Sequence, residues 1–316
     1  MWCANAPAST SGATTATRCR RERVLLSRLL GRLLVGFMWL VRFLPFRAVA
    51  AIGEGMGAVV FWLIPERRKV TRVNLAKCFP DWSEEKREAI ARAHFRAFLR
   101  SFIDRGILWW SAPERVEALV QLEGFEHLQA VAGQRIVLLA PHFLGLDAGG
   151  IRLAKQWPRM ASMYSRQKDP LLDRLLHAGR LRFGGAIYPR QAGIRKILRA
   201  VQAGESFYYL PDMDFGPKAS VFVPFFGVPA ATTVGLSYIA RITGARVVPC
   251  VTRMLPEGRY VARLYPAWEG FPTGDDKADA RRMLAFIEER VLEMPEQYLW
   301  MHKRFKTRPE GEAKFY

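Results

Sequence analysis

The chain has 316 residues, half of them hydrophobic, which suffices to bury a sizeable core and excludes a disordered protein. Its 48 Lys and Arg against 29 Asp and Glu leave a formal charge of +19, so acidic partners are expected. There is no zinc-finger spacing, RNP-type aromatic run or basic-region heptad, which argues against nucleic acid; four scattered cysteines and five histidines without an H-E-x-x-H argue against a metal.

Residues 1–23 are rich in Ala, Ser and Thr and end in Arg18, Arg20, Arg21 and Arg23. This composition predicts a disordered basic extension, with a transit peptide or an upstream-assigned start codon as equal explanations. Residues 24–65 read as a membrane-associated helical anchor. Leu25 to Phe46 is strongly apolar, yet Arg28, Arg32 and Arg42 interrupt it, and its longest uncharged run, Leu33 to Val41, is nine residues. A spanning helix needs roughly 20, so a helix lying in the interface is expected. Ala48 to Ile64 is a second apolar stretch, followed by Arg67, Arg68, Lys69 and Arg72, the pattern of an anchor on a cytoplasmic face. A buried helical hairpin of a soluble domain is the alternative. Within it Gly53 to Ala58 formally matches a dinucleotide fingerprint, but no strand precedes it.

Residues 66–316 are expected to form the main domain. Ser83 can cap a helix that opens with Glu84 and Glu85, with His94 a structural residue on it. From Gln134 onward, strands are predicted at Ile136–Ala140, Met160–Ser165, Ala186–Tyr188 and Ser206–Leu210, each followed by a helical stretch. Further strands are predicted at Arg246–Val251 and Tyr260–Leu264, and helices from Thr232 or Thr233 to near Gly244 and over Asp279–Met294. Such alternation means an α/β fold with a mostly parallel sheet flanked by helices, preceded here by the anchoring helices. Ligands should bind beyond the carboxyl ends of the strands, where both His142 and Asp212 fall.

His142 follows the first of these strands, and Asp147 comes five positions later. On one helix the two would sit about 140° apart, so His142 is expected on the turn before the helix, curling back toward Asp147. A histidine so placed is a candidate general base and the carboxylate the group that orients it.

The text of Asn74 to Pro80 (NLAKCFP), the H-x4-D from His142 to Asp147, Tyr164 to Asp173, Gly179 to Arg182, Pro211 to Pro229 and Pro295 to Pro309, in this order, resembles the late acyltransferases of lipid A biosynthesis over roughly residues 25–316. The resemblance implies a glycerol-3-phosphate acyltransferase-like fold at the cytoplasmic face of the inner membrane. It implies transfer of a fatty acyl group, without a cofactor, from an acyl carrier protein thioester to a hydroxyl on a hydroxyacyl chain of a lipid A precursor. It makes His142 the base and Asp147 its partner, one methylene shorter than the Glu usual in the family. Arg180 and Arg182 are then expected to hold a phosphate of the acceptor or of the carrier's arm, and Asp212 and Asp214 to position substrate. The aromatic run Val221 to Pro229 is a candidate wall for the acyl chain, with core packing as the plain alternative. The +19 charge would serve the acidic carrier and an anionic membrane surface. Two other readings stay open: an acyltransferase for another acceptor, such as a lysophospholipid or glycolipid, and a basic membrane-associated binding protein without catalysis. A serine hydrolase would need a G-x-S-x-G elbow that the chain lacks.

Overall fold

The structure, a computed structural model, describes residues 29–316 apart from Leu30 and Lys168; the expected basic extension, residues 1–23, lies outside these. Helix α1 (Gly31–Val41) is followed by α2 (Phe46–Leu63), which Pro45 precedes and Pro65 terminates. By length and composition α2 could cross a membrane, and only 28% of it is buried. Leu33, Leu40 and Phe43 around α1, with Val59, Trp62 and Leu63 on α2, are exposed. The other face of α2 lies on a later helix, α4, at very short range: a Cβ on Gly53 would stand 2.5 Å from the Arg100 Cα, and one on Gly57 would stand 2.4 Å from the Phe95 carbonyl oxygen. Gly53 and Gly57 therefore form a helix-packing seam on α2, while Gly55 of the formal nucleotide match lies on its exposed face.

Helix α3 (Pro65–Cys78) leads to α4 (Glu84–Ile103), where Ser83 accepts the Lys86 amide at 3.2 Å and Glu84 and Glu85 occupy the first turn, as expected. His94 is buried on the inner face of α4, its Nδ1 paired with the Glu296 carbonyl at 2.9 Å. Short helices α5 (Arg105–Trp110) and α6 (Pro113–Leu119) then enter the sheet at β1 (Val120–Glu123), a strand the sequence pattern does not reveal. The chain continues through α7 (Phe125–Gln129), β2 (Ile136–Leu139), α8 (Leu146–Gln156), β3 (Met160–Tyr164), α9 (Pro170–Arg180), β4 (Ala186–Pro189), α10 (Ile194–Gln202) and β5 (Ser206–Tyr209). It closes with β6 (Ser220–Phe225), β7 (Val228–Thr233), α11 (Gly235–Thr243), β8 (Arg246–Met254), β9 (Tyr260–Leu264) and α12 (Asp276–Glu293).

Seven strands form one sheet in the order β1-β9-β8-β2-β5-β3-β4, parallel except where β8 meets β9. This is the expected α/β architecture. The central strand β2 is fully buried on both faces, which explains its unbroken Ile-Val-Leu-Leu run. Three sequence expectations need correction. The run Val221 to Pro229 is no ligand wall but an antiparallel hairpin, β6 with β7, whose Val223 and Phe225 are buried in the core with Trp300 and Phe305. Helix α11 begins after Val234: Thr233 does accept the Gly235 amide at 3.1 Å, but Thr232 is a buried strand residue that takes a hydrogen bond from Arg304. Helix α12 starts three residues earlier than read, with the Asp275 carboxylate accepting the Lys277 and Ala278 amides.

Candidate active site

Strands β2 and β5 are parallel neighbours, with Leu139 opposite Tyr209, and the Ala140 amide extends the ladder to the Tyr209 carbonyl at 2.8 Å. Three residues beyond each of those partners stand His142 and Asp212, so the register alone brings them face to face. Nδ1–H of His142 donates to Oδ1 of Asp212 at 2.8 Å, and the His142 backbone amide donates to Oδ2 at 3.0 Å. Both carboxylate oxygens of a side chain with no exposure are thus spent on one residue. Burial alone would raise the Asp212 carboxyl; the charge and the two hydrogen bonds of His142 outweigh it and hold the group below its ordinary value. With Nδ1 committed, Nε2 of His142 is the free nitrogen at the cavity.

The carboxylate that orients His142 is therefore Asp212, not Asp147. Asp147 lies in the first turn of α8 and is held by two arginines. Arg105 donates to its Oδ2 from Nη2 at 2.7 Å and from Nε at 3.1 Å; Arg180 reaches its Oδ1 from Nη2 at 2.8 Å and from Nε at 2.9 Å. Burial pushes the Asp147 carboxyl up, but the two guanidinium groups prevail and hold it well below the usual carboxylate range. This cluster joins α5, α8 and α9 around the cavity. Arg182 is spent on the Leu108 and Ser111 carbonyls rather than turned toward a ligand. Asp214 accepts the Gly216 amide at 2.9 Å and both the amide and hydroxyl of Thr307, at 2.6 and 2.8 Å, so its carboxylate fixes the chain while its residue lines the cavity.

The last quarter of the chain closes over the His142 turn. Leu299 donates its amide to the His142 carbonyl, Leu144 donates to the Gln297 carbonyl, and Phe143 bridges Tyr298. The Asn74 side chain holds this segment from the far side, donating to the Trp300 and His302 carbonyls at 2.8 Å each. Two distant stretches singled out in the sequence, NLAKCFP and PEQYLWMHKRFKTRP, thus meet as one clamp.

The cavity beside His142 has a volume of about 720 Å³. Residues of α8 and the sheet contribute a buried part of its lining, Ile151, Ala154, Met160 and Tyr208, with Gly150 beside them. Its lining also includes Asp147, Arg180, Arg190, His302 and Lys306, of which Arg190 and Lys306 are exposed. A cavity lined by both buried apolar and exposed cationic side chains suits a ligand with a hydrocarbon tail and a polar head.

A sequence profile described as bacterial lipid A biosynthesis acyltransferase matches residues 18–307. The chain belongs to this family. The lipid A biosynthesis lauroyltransferase of Escherichia coli (strain K12) is 35% identical over 281 residues, which cover 88% of this chain and 91% of that protein. A lipid A biosynthesis acyltransferase of Haemophilus influenzae is 37% identical over 279 residues, 87% of each chain, and the palmitoleoyltransferase of Escherichia coli (strain K12) is 33% identical over 286 residues, 89% of this chain and 92% of that one. The solved 1-acyl-sn-glycerophosphate acyltransferase of Thermotoga maritima gives a TM-score of 0.36 at 15% identity, covering 72% of this chain and 94% of that one, a likeness too slight to bear on the site.

In this member of the lipid A acyltransferase family, sequence reasoning missed Arg105 and His302. Nothing local marks Arg105, because its carboxylate lies 42 positions away. His302 stood in the basic tail of the sequence, and only the clamp by Asn74 and Leu299 shows why it faces the cavity.

Proposed function

We propose that this acyltransferase moves a fatty acyl group from an acyl carrier protein thioester to a hydroxyl of a hydroxyacyl chain on a lipid A precursor. The observation that carries the reading is the His142–Asp212 pair, with His142 lining a cavity of apolar and cationic side chains, in a chain of this family. Nε2 of His142 takes the proton of the attacking hydroxyl as its oxygen bonds to the thioester carbon, and the buried Asp212 carboxylate offsets the charge gained. Collapse breaks the carbon–sulfur bond, and the departing thiolate of the carrier's arm recovers the proton from His142. General base catalysis of this kind contributes about 10²- to 10⁴-fold.

The acyl chain is assigned to the buried part of the cavity, and Asp147 to holding α5, α8 and α9 in place around it through Arg105 and Arg180. With those arginines and Arg182 engaged, the anionic parts of donor and acceptor fall to Arg190 and Lys306, cavity cations that form no ion pair among the described residues. The exposed apolar residues of α1 and α2, with the exposed Arg32, Arg47, Arg67 and Lys69, are assigned to the cytoplasmic face of the inner membrane.

The test is mass spectrometry of lipids from membranes holding the wild type or His142→Ala, supplied with a tetraacylated lipid A precursor and carrier proteins bearing different chains. A gain of one acyl mass with the wild type alone is expected. No gain with any chain from folded, membrane-bound protein would point to another acceptor, and equal gain with both proteins would remove His142 from the reaction.

A further inference from the structure

In the transfer step an oxyanion forms on the thioester carbonyl, and the turn that carries His142 has few amides to offer it. The His142 amide is bound to Asp212, that of Phe143 to the Pro141 carbonyl, that of Leu144 to Gln297 and that of Leu146 to Phe143. On the same loop that supplies Asp212, two residues further on, the Asp214 amide donates to Nε2 of His302 at 3.3 Å. An accepting Nε2 puts the imidazole proton on Nδ1. Nδ1 has no protein partner among the described residues and is not sealed off, since the imidazole lines the cavity together with His142. Its position is built from both sides: Asn74 holds the His302 carbonyl and the Leu299 carbonyl holds its amide, one turn from where Leu299 grips His142. Burial, with the nearby charges of His142 and Arg304, pushes the imidazole down to about 4, so it is neutral near pH 7.

We propose that Nδ1–H of His302 is the hydrogen-bond donor to the oxygen of the thioester carbonyl, strengthening its bond as that oxygen becomes negative and keeping its own proton throughout. The proposal rests on the acyl-transfer reading. A neutral imidazole serves this purpose because it donates without offering a proton that would be lost, and because its orientation is fixed before substrate arrives. His142 and His302 then divide the chemistry: one receives the hydroxyl proton, the other stabilises the oxygen.

The test exploits the two nitrogens. Asparagine places an N–H near the position of Nδ1 and glutamine places an amide near that of Nε2, so His302→Asn keeps the cavity donor and His302→Gln keeps the contact to Asp214. Acyl transfer by the membrane-bound full chain is measured for both and for His302→Phe, with melting temperatures. We expect kcat to fall about 10²- to 10³-fold in H302Q and H302F with KM within about threefold, and to stay within about tenfold of wild type in H302N. A ¹³C-labelled ketone analogue of the acyl donor, with CH2 in place of sulfur, should show a carbonyl stretch shifted to lower frequency in the wild type and H302N but not in H302Q. Rescue by glutamine instead of asparagine would show that His302 merely holds Asp214 and would overturn the proposal, as would equal loss in all three variants or a change confined to KM. A wild type that transfers no acyl group would instead sink the acyl-transfer reading itself.

Discussion

Replacing Asp212 with Asn changes one atom and removes the charge that faces His142. At the observed 2.8 Å, a carboxylate and an imidazolium attract by about 6 kcal/mol at an effective dielectric constant near 20. Only part of that charge has developed on His142 in the transition state, so roughly half of it, about 3 kcal/mol, is the least that should be lost, or about 10²-fold in kcat. The amide also lets the imidazole adopt the wrong tautomer, and the same substitution in serine-protease triads costs about 10⁴-fold, which sets the upper end. Asp147→Asn should behave differently. It leaves Arg105 and Arg180, 21% and 26% exposed, without their carboxylate. Breaking a fully buried pair costs about 3–5 kcal/mol, and this partial exposure reduces that to about 2–3 kcal/mol of stability. The assay is steady-state acyl transfer beside thermal denaturation for both variants. D212N should melt near the wild-type temperature with kcat down 10²- to 10⁴-fold, and D147N should melt roughly 3–5 °C lower. Wild-type turnover in D212N would refute the assignment of Asp212, and the same turnover loss in D147N without any change in melting would return the orienting role to Asp147.

Gly150→Leu fills the cavity beside its buried lining, so products should shift to shorter acyl chains, each excluded methylene costing about 0.8 kcal/mol or roughly fourfold in kcat/KM; an unchanged product profile would show that the chain runs elsewhere. Gly57→Ala drives a methyl against the Phe95 carbonyl and should destabilise by about 1–3 kcal/mol in denaturant unfolding, with a neutral result arguing against the α2–α4 seam. Burial holds His94 at about 4, below its unfolded value near 6.5, so the unfolded chain takes up the proton first as pH falls. Its contribution is intact above about pH 6.5 and lost toward pH 4, by about 3 kcal/mol, whereas Asp104, pushed up by burial to about 6, contributes in the opposite sense over a similar range. His94→Asn should therefore gain about 2 kcal/mol on wild type between pH 6.5 and 4.5, and parallel stability curves for the two proteins would disprove the linkage. Raising ionic strength should raise the KM for the carrier more than it lowers kcat, since a chain of +19 meets an acidic partner; a constant KM would remove charge from the encounter.

The sheet was largely legible because a parallel sheet buried on both faces writes itself as short apolar runs between helices, and β2, β3, β5, β8 and β9 were all placed within a few residues. Strand β1 was not, because Val120-Gln-Leu-Glu123 follows directly on α6 with no turn residue to separate them. At the site, His142 was readable from its position after a buried strand, and Asp212 shared that position on another strand. What no single sequence supplies is that β2 and β5 are adjacent. Proximity along the chain therefore favoured Asp147, while register in space favours Asp212. The aromatic hairpin failed for the opposite reason: composition says that Phe225 is buried, but not on which side of the sheet or against what.

The clamp by residues 297–302 has a consequence for the birth of the enzyme. His142 emerges from the ribosome 160 residues before His302, and at about 5–20 residues per second the nascent chain spends roughly ten to thirty seconds with His142 synthesised but its turn unheld. Neither the Leu299 amide nor the Gln297 carbonyl exists during that interval, and the helix bearing Asn74 waits without the carbonyls it will grip. The site is therefore completed late, by the last stretch of chain to be made, long after α1 and α2 have been synthesised.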